Sequence, residues 1–128
     1  MLTFPYARKG RQYFPVVDIS LIVPARPLTV KALVDSGAST SVFRAEVLEY
    51  LQIPLVRGER VYLEGVGGRI LGYCHRVPAR VGSTSFALPV VFSQELTVSF
   101  NLLGRDNFFE QFVVSFDERH RVTRLQAY

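Results

Sequence analysis

The stretch Ala32-Leu33-Val34-Asp35-Ser36-Gly37-Ala38-Ser39-Thr40 constrains the chain most, because an apolar run stops there abruptly at a carboxylate, a hydroxyl and a glycine. Ala32-Leu33-Val34 reads as a strand buried in a sheet, and Gly37 permits a tight turn that a side chain would hinder. Asp35 is therefore expected at the rim of a core, charged and accessible. The triplet alone identifies nothing, since acid–glycine turns occur throughout β proteins.

Two later stretches add to it. Gly65-Val66-Gly67-Gly68 lies between strand-like runs from Arg57 to Leu63 and from Arg69 to Val81, which predicts a hairpin tip with positive φ and little bulk. It is not a dinucleotide fingerprint, because the third position after Gly67 is Ile70. Asn101-Leu102-Leu103-Gly104-Arg105-Asp106 is an apolar pair closed by a glycine, leading into a short amphipathic segment.

The rest of the chain is dominated by period-two patterns. Gln12 to Val23 alternates as a strand, Pro24 to Pro27 interrupts, and Leu28 to Val34 returns as a second strand into the Asp35 turn. Ser39, Thr40 and Ser41 offer capping hydroxyls to a helix from Arg44 to Gln52. There Ala45, Val47, Leu48 and Leu51 recur at helical spacing ahead of Pro54. Phe86 to Phe92 predicts a strand in which Pro89 marks an edge or a bulge, and Phe100 to Leu103 a short buried one. Asn107 and Glu110 stand at capping-box spacing for a second helix, Asn107 to Phe112; Val113 to Asp117 and Arg121 to Leu125 predict a last hairpin. The expected fold is mostly β, a closed or folded sheet with two short helices.

In order and spacing, the Asp35 turn, the glycine hairpin and the Leu102-Leu103-Gly104 stretch resemble the retropepsin-like aspartic proteases, over about residues 12 to 125. The resemblance implies a pepsin-like closed β-sheet or barrel domain and an endopeptidase cutting extended peptides at apolar positions. It casts Asp35 as the catalytic carboxylate, with Ser36 bonding across a dimer axis and Gly37 offering backbone to the substrate. Val66, Gly67 and Gly68 become the substrate-binding flap, and Leu102, Leu103 and Gly104 packing behind the turn. The chain departs from the retroviral pattern at Ser39, where an acidic residue would pair with the later arginine, so Arg105 lacks that partner. Neither terminus resembles the strands that knit the retroviral dimer.

Peptide hydrolysis by carboxylates requires one ionised group to activate water and one protonated group to serve the leaving nitrogen. Two neighbouring carboxylates holding a single proton meet that requirement, and aspartic proteases are the standard case. Only Asp35 is suitable here, so a homodimer placing it beside its own copy is expected, weakly held given the departures above.

The 128 residues and 48% hydrophobic content fit one domain, residues 1–128, with its own core. A single cysteine, Cys74, cannot form an internal disulfide, and His75 and His120 match no metal spacing, so neither metal nor cofactor is expected. Cys74 and His75 are strand neighbours and should point apart, which argues against a catalytic dyad and for a surface histidine beside a buried thiol. The start has no apolar signal core, and the longest apolar run, Ala87 to Phe92, is too short to cross a membrane. A cytoplasmic protein without a membrane partner is expected. The net charge of +4 raises the question of nucleic acid, but its arginines are dispersed along the sequence, which argues for a solvated surface. Two rival functions stand beside the peptidase: a non-catalytic peptide-binding or dimerisation module on the same fold, and a basic nucleic-acid-binding β-domain.

Overall fold

Pro15 breaks the first long β pattern, because a residue without an N–H cannot continue a ladder on that side. The computed structural model describes residues 1–65 and 67–128, and in it the region predicted as one strand is two. The chain begins with β1 (Leu2–Pro5), β2 (Ala7–Lys9), β3 (Gln12–Phe14), β4 (Val16–Leu21) and β5 (Leu28–Val34). The Pro15 carbonyl accepts a 2.9 Å hydrogen bond from the Val34 N–H, so the break itself braces the end of β5. Then follow β6 (Ser41–Arg44), α1 (Ala45–Leu51), a 3-10 turn (Leu55–Arg57), β7 (Glu59–Gly65), β8 (Gly68–Val81), β9 (Thr84–Ser93), β10 (Asn101–Leu103), β11 (Phe112–Asp117) and β12 (Val122–Ala127).

Seven strands form one mixed sheet in the order β4-β5-β10-β6-β9-β8-β7. Two residue pairs, Ser20 with Arg80 and Leu21 with Ala79, join β4 to β8, so the sheet folds back on itself without becoming a clean barrel. β1, β12 and β11 make a separate three-stranded sheet, and β2 with β3 a two-stranded ribbon. The core between these layers holds Ile19, Leu21, Phe43, Phe92, Leu88, Leu103, Phe108, Phe112 and Leu125, and each such side chain gains about 1.5–3 kcal/mol on burial.

Among the described residues one α-helix forms, not two. In α1 the predicted Ala45, Val47, Leu48 and Leu51 are the buried face, and the chain leaves through Gln52 in the left-handed region at φ 58°. Ser39 to Ser41 do not cap it: β6 intervenes, and Arg44, the residue before α1, is extended and makes no side-chain cap. Residues 107–111 are turns, because Asn107 takes φ 51°, which a helix cannot contain. Half of the predicted capping box survives, as the Glu110 carboxylate accepts from the Asn107 N–H at 2.8 Å. Pro89 is not on an edge strand, since β9 lies between β6 and β8; its pairing with β6 begins one residue later, at Val90, where an N–H is available.

Candidate active site

Asp35 is positioned by three strands converging on one point. β10 runs between β5, to which it is parallel, and β6, to which it is antiparallel; the turn from Asp35 to Thr40 therefore passes over the end of β10. The register sets Leu103 beside Val34, and the Asp35 N–H donates to the Leu103 carbonyl at 2.8 Å. Beyond β10 the chain returns along the turn, with Arg105 N–H donating to the Ala38 carbonyl and Asp106 N–H to that of Ser39, each at 2.9 Å.

Gly104 makes this return possible. A methyl group there would lie 2.6 Å from the Thr40 carbonyl carbon and oxygen, closer than real side-chain contacts. Its N–H is bonded at 3.0 Å to the Ser41 hydroxyl, which is fully buried. Ser41 thus holds the base of the turn rather than a helix end. Its sequence signal was a polar residue just ahead of the apolar pair Val42-Phe43, a place where a hydroxyl must find a buried partner.

The Asp35 carboxylate is half-exposed, and its Oδ1 accepts the Gly37 N–H at 3.0 Å. A side chain at Gly37 would come within 3.3 Å of that oxygen, so glycine keeps the carboxylate uncrowded. Among the described residues no cation pairs with Asp35 and no second carboxylate is hydrogen-bonded to it. Ser36 and Gly37 are exposed, and the Ser36 hydroxyl makes no hydrogen bond to a described residue. The turn thus presents a carboxylate and a free hydroxyl outward, side by side.

The glycine hairpin forms as predicted. Gly65 pairs with Gly68, whose φ of 111° suits glycine, and open space surrounds Gly65, Gly67 and Gly68. Val66 lies outside the described residues. Val61, Leu63 and Ile70 share the face of the hairpin that Gly65 and Gly68 occupy, and none of them joins the main core. Among the described residues no hydrogen bond ties Gly67 or Gly68 to the Asp35 turn. The outgoing strand is anchored elsewhere, by the Leu71 N–H to Glu95 at 2.8 Å and the Ser93 hydroxyl to the Leu71 carbonyl at 2.6 Å.

Arg105 is exposed and in no ion pair among the described residues, as the serine at position 39 foretells. His75 is not on the surface: its half-buried ring lies 2.9 Å from the Leu55 carbonyl and edge-on to Phe92. Cys74 beside it is half-buried, and burial, with Glu59 and Asp106 nearby, pushes its thiol up, opposite to what a nucleophile needs. Among the described residues no three His, Cys, Asp or Glu side chains gather to hold a metal, and no helix is long and apolar enough to cross a membrane.

A mostly β fold with one strand threaded between two others, and an Asp-Ser-Gly turn on top, defines a protein of the aspartic protease type. The family model described as aspartyl protease matches residues 26–107, which include the turn, the hairpin and the Leu102-Leu103-Gly104 stretch. The chain belongs to this aspartyl protease family, of the retropepsin-like clan. No curated protein matched the chain.

Proposed function

We propose that the protein is an aspartic endopeptidase, active as a homodimer in which Asp35 of each chain shares one proton with its copy and together they hydrolyse extended peptides. The observation that carries this reading is the Asp35 carboxylate, presented half-exposed beside an unengaged Ser36 hydroxyl with no second acid bonded to it within the chain. A two-fold axis beside the turn supplies that second acid and gives each Ser36 a partner. The ionised carboxylate then takes a proton from water as it attacks the scissile carbonyl, and the protonated one serves the leaving nitrogen.

The termini are already used within the chain, since β1 pairs with β12, so the dimer forms differently from one knitted by exchanged terminal strands. An extended substrate lies between the turn and the hairpin, held by backbone bonds from Gly67, Gly68 and Val66 as in strand addition. Val61, Leu63 and Ile70 favour apolar side chains in it.

Digestion of a peptide library at mildly acidic pH, read by mass spectrometry, tests the reading. Wild type is expected to cut between apolar residues, and Asp35→Asn, which keeps the shape but not the titratable proton, to fold normally and cut nothing. Cleavage at the wild-type rate by Asp35→Asn would sink it.

A further inference from the structure

The basic residues that are scattered in sequence are gathered by the fold. β2 and β3 form a ribbon with Gly10 and Arg11 at its tip, docked on the turn between β11 and β12 through the Tyr6 N–H, which donates to the Arg121 carbonyl at 2.8 Å. Here Arg8, Lys9, Arg11, Arg119, Arg121 and Arg124 meet only Asp117 and Glu118. Six of the fifteen basic and two of the eleven acidic residues leave nine of each elsewhere, so this region holds the entire net charge of +4.

Of these cations, all but Arg124 are outside any ion pair among the described residues. The Arg121 guanidinium lies 3.7 Å from the centre of the Tyr13 ring, with Arg8 at 5.9 Å from the same ring, and the Lys9 ammonium lies 5.3 Å from the Phe100 ring. Phe100 packs in turn on Phe14 at 5.2 Å. Asp117 is occupied by His120 and Arg124, and among the described residues none of Arg8, Lys9, Arg11, Arg119 and Arg121 is in an ion pair. The register puts Arg8 and Tyr13 on one face of the ribbon and Lys9, Gln12 and Phe14 on the other.

We propose that this ribbon and the adjoining turn bind the phosphate backbone of duplex DNA without reading its sequence. Three features favour that partner over a membrane or an acidic protein surface. Cations lie on both faces and at the tip, matching a groove walled by phosphates on two sides, whereas a flat anionic surface meets one face. A two-stranded ribbon is an element that the major groove admits. Five of the six cations are arginine, whose planar fork suits phosphate oxygens.

Fluorescence anisotropy of a 20-base-pair mixed-sequence duplex, titrated with the full chain at several salt concentrations, tests this. With four or five phosphate contacts the slope of log affinity against log salt is about −4, so affinity falls roughly 250-fold from 50 to 200 mM salt. The triple variant Lys9→Gln/Arg11→Gln/Arg119→Gln spares the Tyr13 stack and should lose most of the affinity and flatten the slope toward about −1. A control, Arg57→Gln/Arg60→Gln/Arg76→Gln, removes equal charge elsewhere and should change binding less than about threefold, as charges beyond the Debye length count little. Melting curves establish that both variants fold; should the triple variant not fold, Arg11→Gln/Arg119→Gln makes the same comparison. The proposal is overturned if wild type does not bind at 50 mM salt, or if both sets of substitutions weaken binding equally. It is also overturned if anionic vesicles or polyglutamate of matched charge are bound as tightly as the duplex.

Discussion

Gly104→Ala is the sharpest probe of how the Asp35 turn is held. The added methyl would sit 2.6 Å from the carbonyl carbon and oxygen of Thr40 and 2.8 Å from its nitrogen. All three are backbone atoms, so relief cannot come from rotating a side chain. The turn and the returning chain must part, which strains the bonds from Arg105 to Ala38 and Asp106 to Ser39 and the buried bond from Gly104 to Ser41. Overpacking of this kind costs about 1–3 kcal/mol, and a weakened buried hydrogen bond brings the total to about 2–4 kcal/mol. For a domain of this size the melting temperature should fall by on the order of 10 °C. Displacing the carboxylate by even a fraction of an ångström should also cut turnover roughly 10-fold or more. Gly65→Ala is the internal comparison: nothing lies within 4 Å of the added carbon, so stability should change by less than about 1 kcal/mol. Calorimetry on both variants decides the matter, and a Gly104→Ala protein that melts with wild type would refute the account of the turn.

Gly67→Val enters open space and should leave stability nearly unchanged while lowering kcat/KM, because a β-branched residue stiffens the hairpin tip and obstructs a bound backbone. Gly68→Val should additionally destabilise, since φ of 111° is closed to valine; wild-type kinetics for Gly67→Val would remove the hairpin from substrate binding. Asp117 is held down to about 2 from its ordinary 3.8, first by the His120 N–H, then by the His120 ring and Arg124. A carboxylate lowered on folding stabilises above its unfolded value and ceases to do so as pH falls through its folded one. Stability measured by urea from about pH 4 down to pH 2 should therefore fall less in Asp117→Asn than in wild type, and parallel curves would show that these bonds contribute nothing.

What the sequence discloses depends on how local the cause is. The Leu28–Val34 strand, the tight Asp35 turn, the buried face of α1 and the final hairpin follow from period-two or helical spacing and from glycine, all within a few residues. The placement of β10 between β5 and β6 rests on pairings of Asn101 with Ala32 and Leu102 with Val42, distant in sequence, and the short buried strand from Phe100 to Leu103 does not itself name those partners. Ser41 looked like a cap because hydroxyls before a helical pattern usually are; its bond to Gly104 depends on that distant pairing. The second helix fails at Asn107, where local capping chemistry is present but the buried Phe108 lies in a turn and Phe112 opens β11. β1 was not anticipated, and its pairing with β12 brings Arg8, Lys9 and Arg11 to Arg119 and Arg121, which a reading along the chain sees as dispersed charge.

The claim most in need of a direct test is that one chain holds half of a catalytic site. Specific activity on a fluorogenic apolar peptide, measured across dilution with sedimentation at the same concentrations, provides it. In the monomer-dominated range the dimer fraction is proportional to concentration, so specific activity should fall about tenfold for each tenfold dilution. Activity per chain that stays constant where sedimentation finds only monomer would contradict the account, because a lone Asp35 would then be doing the work assigned to two.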